Sequence, residues 1–503
     1  VEIMMTLMRR DVLRGTMGVG LLSVGIPGRA AAPRPLAIQS ADPGTDQALF
    51  WALADGPGRM VVEVHEPGRP WPRRLTGPVV DETTDYAATM LLKGFKPGAA
   101  LDYRIYFENA AGQPGDALQG RLRLAPDKLQ TVRFLWSGDL CGQGWGIDVD
   151  RGGYAVFSMM RDLDPDFLVF CGDHIYADNP LQPEVVLEDG QVWRNVVTAA
   201  KSKVAETLHE FRGNYRYNLL DPSLRAFAAH VPQIHQWDDH EVLNNWYPQE
   251  ILDDPRYREQ RVAVLAQRAR QAFLEHCPLQ GRKPGRIERH LPHGPLLDVF
   301  VLDMRTDRGP NTTNLEPAGA PFLGREQLDW LKMALVQSTG LWKVIAADMP
   351  LGLVVPDGAA QEGLANADDG PPAGREVELM ELLSWIKAHD LHNVVWLTTD
   401  VHYTAAHRYE PARAAFKDFL PFWEFVSGPL HAGTFGPSLL DGTFGPQVVF
   451  QEAPSPGMAN LPPNMGLQYV GEVVIDGGTG RLTVNLRNAA GRVLFSEVIQ
   501  PVR

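Results

Sequence analysis

The feature that most limits the folds open to this chain is an alternation that begins at Thr131. Short apolar runs rich in Val, Ile, Leu and aromatics recur as "TVRFLWSGD", "DFLVFCGD", "VPQIHQW", "LLDVFVLDMR", "WKVIAADM" and "NVVWLTTD". Runs of this kind are strands buried on both faces. Between them lie segments with helical spacing. In "REVELMELLSWIKAHD", Leu379, Leu382, Leu383 and Ile386 follow i, i+3, i+4, i+7, and Leu328, Leu331 and Leu335 repeat the pattern in "GREQLDWLKMAL". Helices are also expected from about Gly153 to Asp162, near 193–220 and near 256–276. The C-terminal end returns to β, with Leu482, Val484 and Leu486 alternating before "RVLFSEVIQ". The prediction is an α/β catalytic domain of layered αββα type over residues 131–503.

Residues 36–126 read differently. In "LDYRIYFEN", Leu101, Tyr103, Ile105 and Phe107 alternate with Asp102, Arg104, Tyr106 and Glu108, the pattern of a half-buried strand. "ALFWAL" and "MVVEVHE" are further strands, and "DGPG", "KPGA" and "AGQPG" are turns. This is a small all-β unit, a sandwich of fibronectin-like type. It lacks clustered His, Asp or Cys, so the chemistry is expected in 131–503.

Residues 1–32 read as an address. Arg9-Arg10 opens "RRDVLRG", an apolar stretch runs from Thr16 to Ile26, and Ala30-Ala31-Ala32 offers small residues for cleavage. The paired arginines resemble a twin-arginine signal, which implies the twin-arginine translocase as a transient partner and a periplasmic or secreted product. The apolar stretch is too short for a normal membrane span, and no later segment qualifies. A net charge of -14 argues against a nucleic-acid partner. Three scattered cysteines, Cys141, Cys171 and Cys277, are not a disulfide framework.

Four of the strand runs end in metal-compatible side chains. Asp139 ends the first, Asp173 the second in "CGDHIYAD", Asp238-Asp239-His240-Glu241 follow "IHQW", and Asp400 and His402 follow "VVWLTT". The carboxyl ends of strands are where α/β domains carry their sites. Phosphate-ester hydrolysis gathers charge on the attacking and leaving oxygens, and two metal ions can stabilise both and acidify a bound water. Such a pair needs a bridging carboxylate, for which Asp173 is the best candidate. Tyr176 adds a phenol able to serve a ferric ion as a hard anionic ligand.

With "GDHIYAD", "WDDHEVLNNW", "VLDMRTDRGPN", "TTDVHYTAAH" and "FWEFVSGPLHAGTFGP" in place, the chain resembles the calcineurin-like metallophosphoesterases, and more closely the PhoD-type alkaline phosphatases. The resemblance implies Fe3+ beside a second divalent ion, Ca2+ first, with Mn2+ or Zn2+ as alternatives. By position it implies Asp139, Asp173, Tyr176 and His402 around the iron, and Asp173, Asp239 and Asp400 around the second ion, with Asn244 or Asn245 completing it. His240 would lie beside the phosphate, and Arg305 and Arg308 would grip its oxygens.

Two departures from relatives stand out. Relatives often carry a cysteine where the first strand ends, so Cys141 is a rival to Asp139 for that ligand position. Asp307 stands between the two arginines where relatives often have an aromatic residue.

The expected function is hydrolysis of phosphate mono- or diesters by a metal-activated hydroxide. Phospholipid is a second substrate class, cleaved in the manner of a phospholipase D, with Trp145, Trp246 and Phe422 as pocket aromatics. A non-catalytic binding protein on a degenerate phosphatase fold is the alternative from another class.

Overall fold

The strand Val132–Ser137 shows why the apolar runs become central strands. Phe134 and Trp136 point to one side and Leu135 to the other, and all three are fully buried. Both faces of such a strand need a covering layer.

One layer is a second sheet. Phe134, Trp136, Val169 and Ile234 of the first sheet share a core with Val299, Val344, Val395 and Phe425 of the second. The other layers are helices. Leu135, Leu168 and Phe170 pack against Phe157, Met160, Leu224 and Phe227 of helices Val156–Asp162 and Pro222–His230. Phe300, Ile345 and Trp396 pack against Leu328, Leu331, Leu379 and Leu382 of helices Arg325–Gln337 and Glu376–Ala388. The result is the layered αββα arrangement expected. The computed structural model describes residues 31–502, so the twin-arginine-like segment around Arg9-Arg10 lies outside the described residues.

The first sheet has nine strands and the second seven. At the centre of the first, Val132–Ser137, Phe167–Cys171 and Gln233–Gln236 run parallel side by side. In the second, Leu297–Val301, Trp342–Ala346, Val394–Thr398 and Phe422–Val426 are also parallel. Their carboxyl ends carry the acidic loops. The helices expected near 193–220 and 256–276 are Leu208–Asn218 and Val262–His276. The first starts late because 192–194 is a strand and Thr207 with Glu210 forms a capping box.

The N-terminal β unit is present, and it is joined to the catalytic sheet. Strands Arg73–Val80, Gly58–His65, Ala100–Glu108 and Pro114–Arg123 form a separate four-stranded sheet. Its inner face, including Met60, Val62, Leu101 and Ile105, packs on Phe50 and Ala52. However, Pro35–Ala41, Gln47–Ala54 and Ala87–Lys93 extend the nine-stranded catalytic sheet. The join is a parallel pairing at Ala41 and Gln233. Side chains reinforce it: Arg289 pairs with Asp42 at 2.8 Å, and Trp51 Nε1 donates to the Glu275 carbonyl at 2.7 Å. Residues Ala32–Arg503 accordingly form one compact unit.

Candidate metal centre

Three of the four strand ends turn sharply through left-handed backbone. Asp139, Asp173, Asp400 and His402 all have left-handed φ, of 64°, 53°, 72° and 59°. For non-glycine residues this costs on the order of 1–2 kcal/mol each, and such strain clusters at functional sites. Backbone bonds hold the turns in place, with Leu140 N–H donating to the Asp173 carbonyl at 2.8 Å. Glu241 adds a buried brace. Its carboxylate accepts from the backbone N–H groups of Asp173, His174 and Asp238 at 3.1, 2.6 and 2.7 Å.

The turns bring together three overlapping groups of potential ligands, Asp139–Asp173–His402, Asp173–Asp239–His240 and Asp238–Asp239–Asp400, the ligand atoms of each lying within 4.8 Å of one another. Asp173 and Asp239 each belong to two groups, and Asp173 is the one shared with Asp139 and His402. Burial pushes the carboxyls of Asp139, Asp173 and Asp400 well above the usual range, and neighbouring carboxylates push the same way. Both carboxylate oxygens of Asp139 and Oδ1 of Asp239 are buried with no hydrogen-bond partner among the described residues. Several buried acids with open lone pairs fit bound cations, which would neutralise them.

Tyr176 and His402 complete the first side. The Tyr176 hydroxyl lies 2.8 Å from His402 Nε2, and His402 Nδ1 meets the Gly433 carbonyl at 2.5 Å. Burial lowers the pKa of His402 to about 4, so its ring is neutral. With Nδ1 donating to the carbonyl, Nε2 keeps the lone pair that faces the site.

His240 stacks on Tyr176 at 4.1 Å, and its Nδ1 lies 2.7 Å from Asp178 Oδ1. Burial alone would lower its pKa, but Asp178, Asp239 and Asp173 outweigh it and hold the imidazolium well above the usual histidine range.

Asp139 and Cys141 lie in different surroundings. Asp139 belongs to a ligand group and Cys141 to none among the described residues. The Cys141 thiol instead lies beside the Tyr154 hydroxyl, in the core under the first sheet. Asn244 and Asn245 contribute backbone N–H groups, to Asp178 at 3.1 Å and Asp239 at 2.5 Å.

Arg305 and Arg308 require a correction. Neither presents an open fork for phosphate. The Arg305 side chain is fully buried, with Nε 2.7 Å from Asp238 Oδ1 and Nη1 2.5 Å from Glu362 Oε1. Arg308 is 1% exposed and donates to the same Glu362 oxygen at 2.9 Å. Their charge is absorbed by the buried carboxylates of Asp238 and Glu362. Asp307 pairs with Arg286 at 2.6 Å.

The proposed pocket aromatics are core residues. Trp145 packs on Trp193, Trp246 on Trp237, and Phe422 stacks on Tyr409. Phe422 also begins its strand, at the end of the sheet opposite the acidic loops.

Sequence reasoning passed over Asp178, Asp238 and Glu241 as individual actors. For Glu241 a signal existed: it stands three residues after Asp238 and reaches back to that residue's N–H, as a capping-box glutamate does.

Comparison with known proteins gives the family and the fold. The family model described as PhoD-like phosphatase matches residues 134–486. Alkaline phosphatase D of Bacillus subtilis (strain 168) is 32% identical over 269 residues, 50% of this chain but 44% of that protein, so the chain matches less than half of its length. Among solved structures, that of PhoD superposes with a TM-score of 0.69 at 20% identity, covering 94% of both chains. A purple acid phosphatase from yellow lupin (Lupinus luteus) seeds superposes with a TM-score of 0.59 at 14% identity, over 93% of this chain and 74% of that one. At these identities the structural likeness is one of fold.

Proposed function

The chain belongs to the PhoD-like phosphatase family, and from that premise we propose that it hydrolyses phosphate esters at the acidic cluster centred on Asp173. The observation that carries the proposal is the overlap of ligand groups, with Asp173 shared between Asp139–His402 on one side and Asp239–His240 on the other.

We assign Fe3+ to Asp139, Asp173, Tyr176 and His402, because a phenol beside a neutral imidazole and two carboxylates suits a hard trivalent ion. The second ion falls to Asp173, Asp239 and Asp400, an all-oxygen set suited to Ca2+, with Mn2+ or Zn2+ as alternatives. Bound there, the two cations would supply positive charge to the phosphate oxygens and acidify a water.

The chain's own residues do the rest. His240 donates a proton to the leaving oxygen from Nε2, since Nδ1 is committed to Asp178. Asp178 fixes the ring and favours its protonated form. Glu241 holds the loops of Asp173 and Asp238 at a constant separation through three backbone N–H groups. The buried Arg305 stabilises Asp238 and offsets negative charge behind Asp239.

The substrate is a small phosphate mono- or diester. The burial of Trp145, Trp246 and Phe422 withdraws the aromatics that had favoured a phospholipid. We place the reaction outside the cytoplasm on the twin-arginine-like run at Arg9-Arg10. No helix among the described residues is long and apolar enough to cross a membrane.

The test is Asp173→Ala, read by metal quantification and by phosphate release from a panel of mono- and diesters. Metal and activity are expected to fall together. Full activity in that variant would overturn the proposal.

A further inference from the structure

A second cluster of ligand-type side chains lies on the helix-covered face of the first sheet. His174, His235 and Cys277 each offer a ligand atom, and the three atoms lie within 4.8 Å of one another. They come from three separate elements: the loop after Phe167–Cys171, the strand Gln233–Gln236, and the C-cap of helix Val262–His276. All three are buried, at 7%, 2% and 3% exposure.

Their hydrogen bonding is incomplete. Neither ring nitrogen of His235, nor Nε2 of His174, has a partner among the described residues. Buried imidazole nitrogens left this way are costly unless something else satisfies them. The His174 ring also hydrogen-bonds the Gln236 backbone. With Nε2 unpartnered, that bond falls to Nδ1, which leaves Nε2 as the lone-pair nitrogen, the arrangement common among metal-bound histidines. Cys277 is a free thiol. The three residues border a cavity of about 60 Å³ that is also lined by Gln39, Tyr215 and Asn218. That is room for a water as a fourth ligand.

We propose that His174, His235 and Cys277 form a mononuclear metal site, separate from the acidic cluster, that takes a borderline-soft divalent cation, best matched by Zn2+. Two imidazoles and a thiolate are the donor set of zinc rather than of calcium or magnesium. Binding releases one proton, from the Cys277 thiol, whose sulfur then donates its lone pair to the metal. Arg289, close enough to act electrostatically on Cys277, is already neutralised by Asp42 at 2.8 Å and does not oppose the cation. The site ties the Asp173 loop, the strand leading to Asp239 and the long helix together at one point.

The experiment uses the full chain, stripped with chelator and reloaded with Co2+ or Zn2+. Co2+ is expected to give a near-ultraviolet thiolate-to-cobalt band, which the oxygen-rich acidic cluster does not produce. Cys277→Ser should abolish the band and lower bound zinc by about one equivalent per chain. Cys141→Ser should leave both unchanged.

Zinc K-edge absorption on the unsubstituted protein covers the case in which Cys277→Ser fails to fold. It should show a sulfur shell at ~2.3 Å together with imidazole nitrogens. Absence of that shell, no band with Co2+, or a band that survives Cys277→Ser would each overturn the site.

Discussion

Arg305→Met separates a structural cation from a substrate-gripping one. Methionine keeps the length of the side chain and removes its charge. The arginine makes two charge-assisted hydrogen bonds, to Asp238 at 2.7 Å and Glu362 at 2.5 Å, with both partners buried. At ~1.5–3 kcal/mol each, their loss costs ~3–6 kcal/mol. Removing one partner of a buried ion pair costs ~3–5 kcal/mol by independent reckoning. About 4 kcal/mol is a large part of a typical total stability of ~5–15 kcal/mol.

The penalty has a pH signature. Burial pushes Asp348 up to about 6 although Arg305 opposes the shift, and Asp238 lies well above the usual range for the same first reason. Without Arg305 both move higher. A carboxyl raised in the folded state favours folding when protonated, so stability falls as pH rises through that pKa. The full penalty is expected at about pH 8 and a smaller one at about pH 5. Urea unfolding of wild type and variant at both pH values measures it. A variant within ~1 kcal/mol of wild type at about pH 8, with a strongly raised KM for phosphate esters, would refute the buried-pair account and restore the phosphate grip.

Two further substitutions probe other parts of the chain. Asp178→Asn removes the carboxylate that favours protonated His240, so the alkaline limb of the kcat profile should move to lower pH. Alkyl phosphates, which need leaving-group protonation, should lose ~10-fold more rate than nitrophenyl phosphate, and an unmoved limb with equal losses would count against His240 as the acid. Burial, with Asp441 adding, pushes Glu376 up to about 8 from a usual 4.5, so its ionised form weakens the fold progressively between those values. Glu376→Gln removes that titration, and its melting temperature relative to wild type should rise with pH across the window. A difference that stays flat would show that Glu376 does not titrate there.

The local sequence sufficed for the layers and for the strand ends. Val, Ile, Leu and aromatics in unbroken runs such as "FLWS" and "FLVFC" demand cover on both faces, and the leucine spacing at Leu379–Ile386 supplies the covering helix. Asp139, Asp173, Asp239, Asp400 and His402 were legible because each follows such a run, and the carboxyl ends of the parallel strands in both sheets carry the acidic loops. The small β unit was legible from the alternation in "LDYRIYFEN", since a half-buried strand has a period of two.

What the tertiary structure decided depends on partners distant in the chain. Asp139 and Cys141 are two residues apart with similar left-handed φ, 64° and 73°, and only the packing of Tyr154 and the Asp173 loop sends one to the cluster and the other to the core. Arg305 and Arg308 read as a phosphate grip until Asp238, Asp348 and Glu362 close around them. The fusion of the N-terminal strands to the catalytic sheet turns on the pairing of Ala41 with Gln233, which no local pattern announces. His174, His235 and Cys277 likewise acquire a common role only when a loop, a strand and a helix end meet. Apolar periodicity is a short-range property of the chain, whereas the direction of a side chain past a strand end is set by whatever lies opposite it.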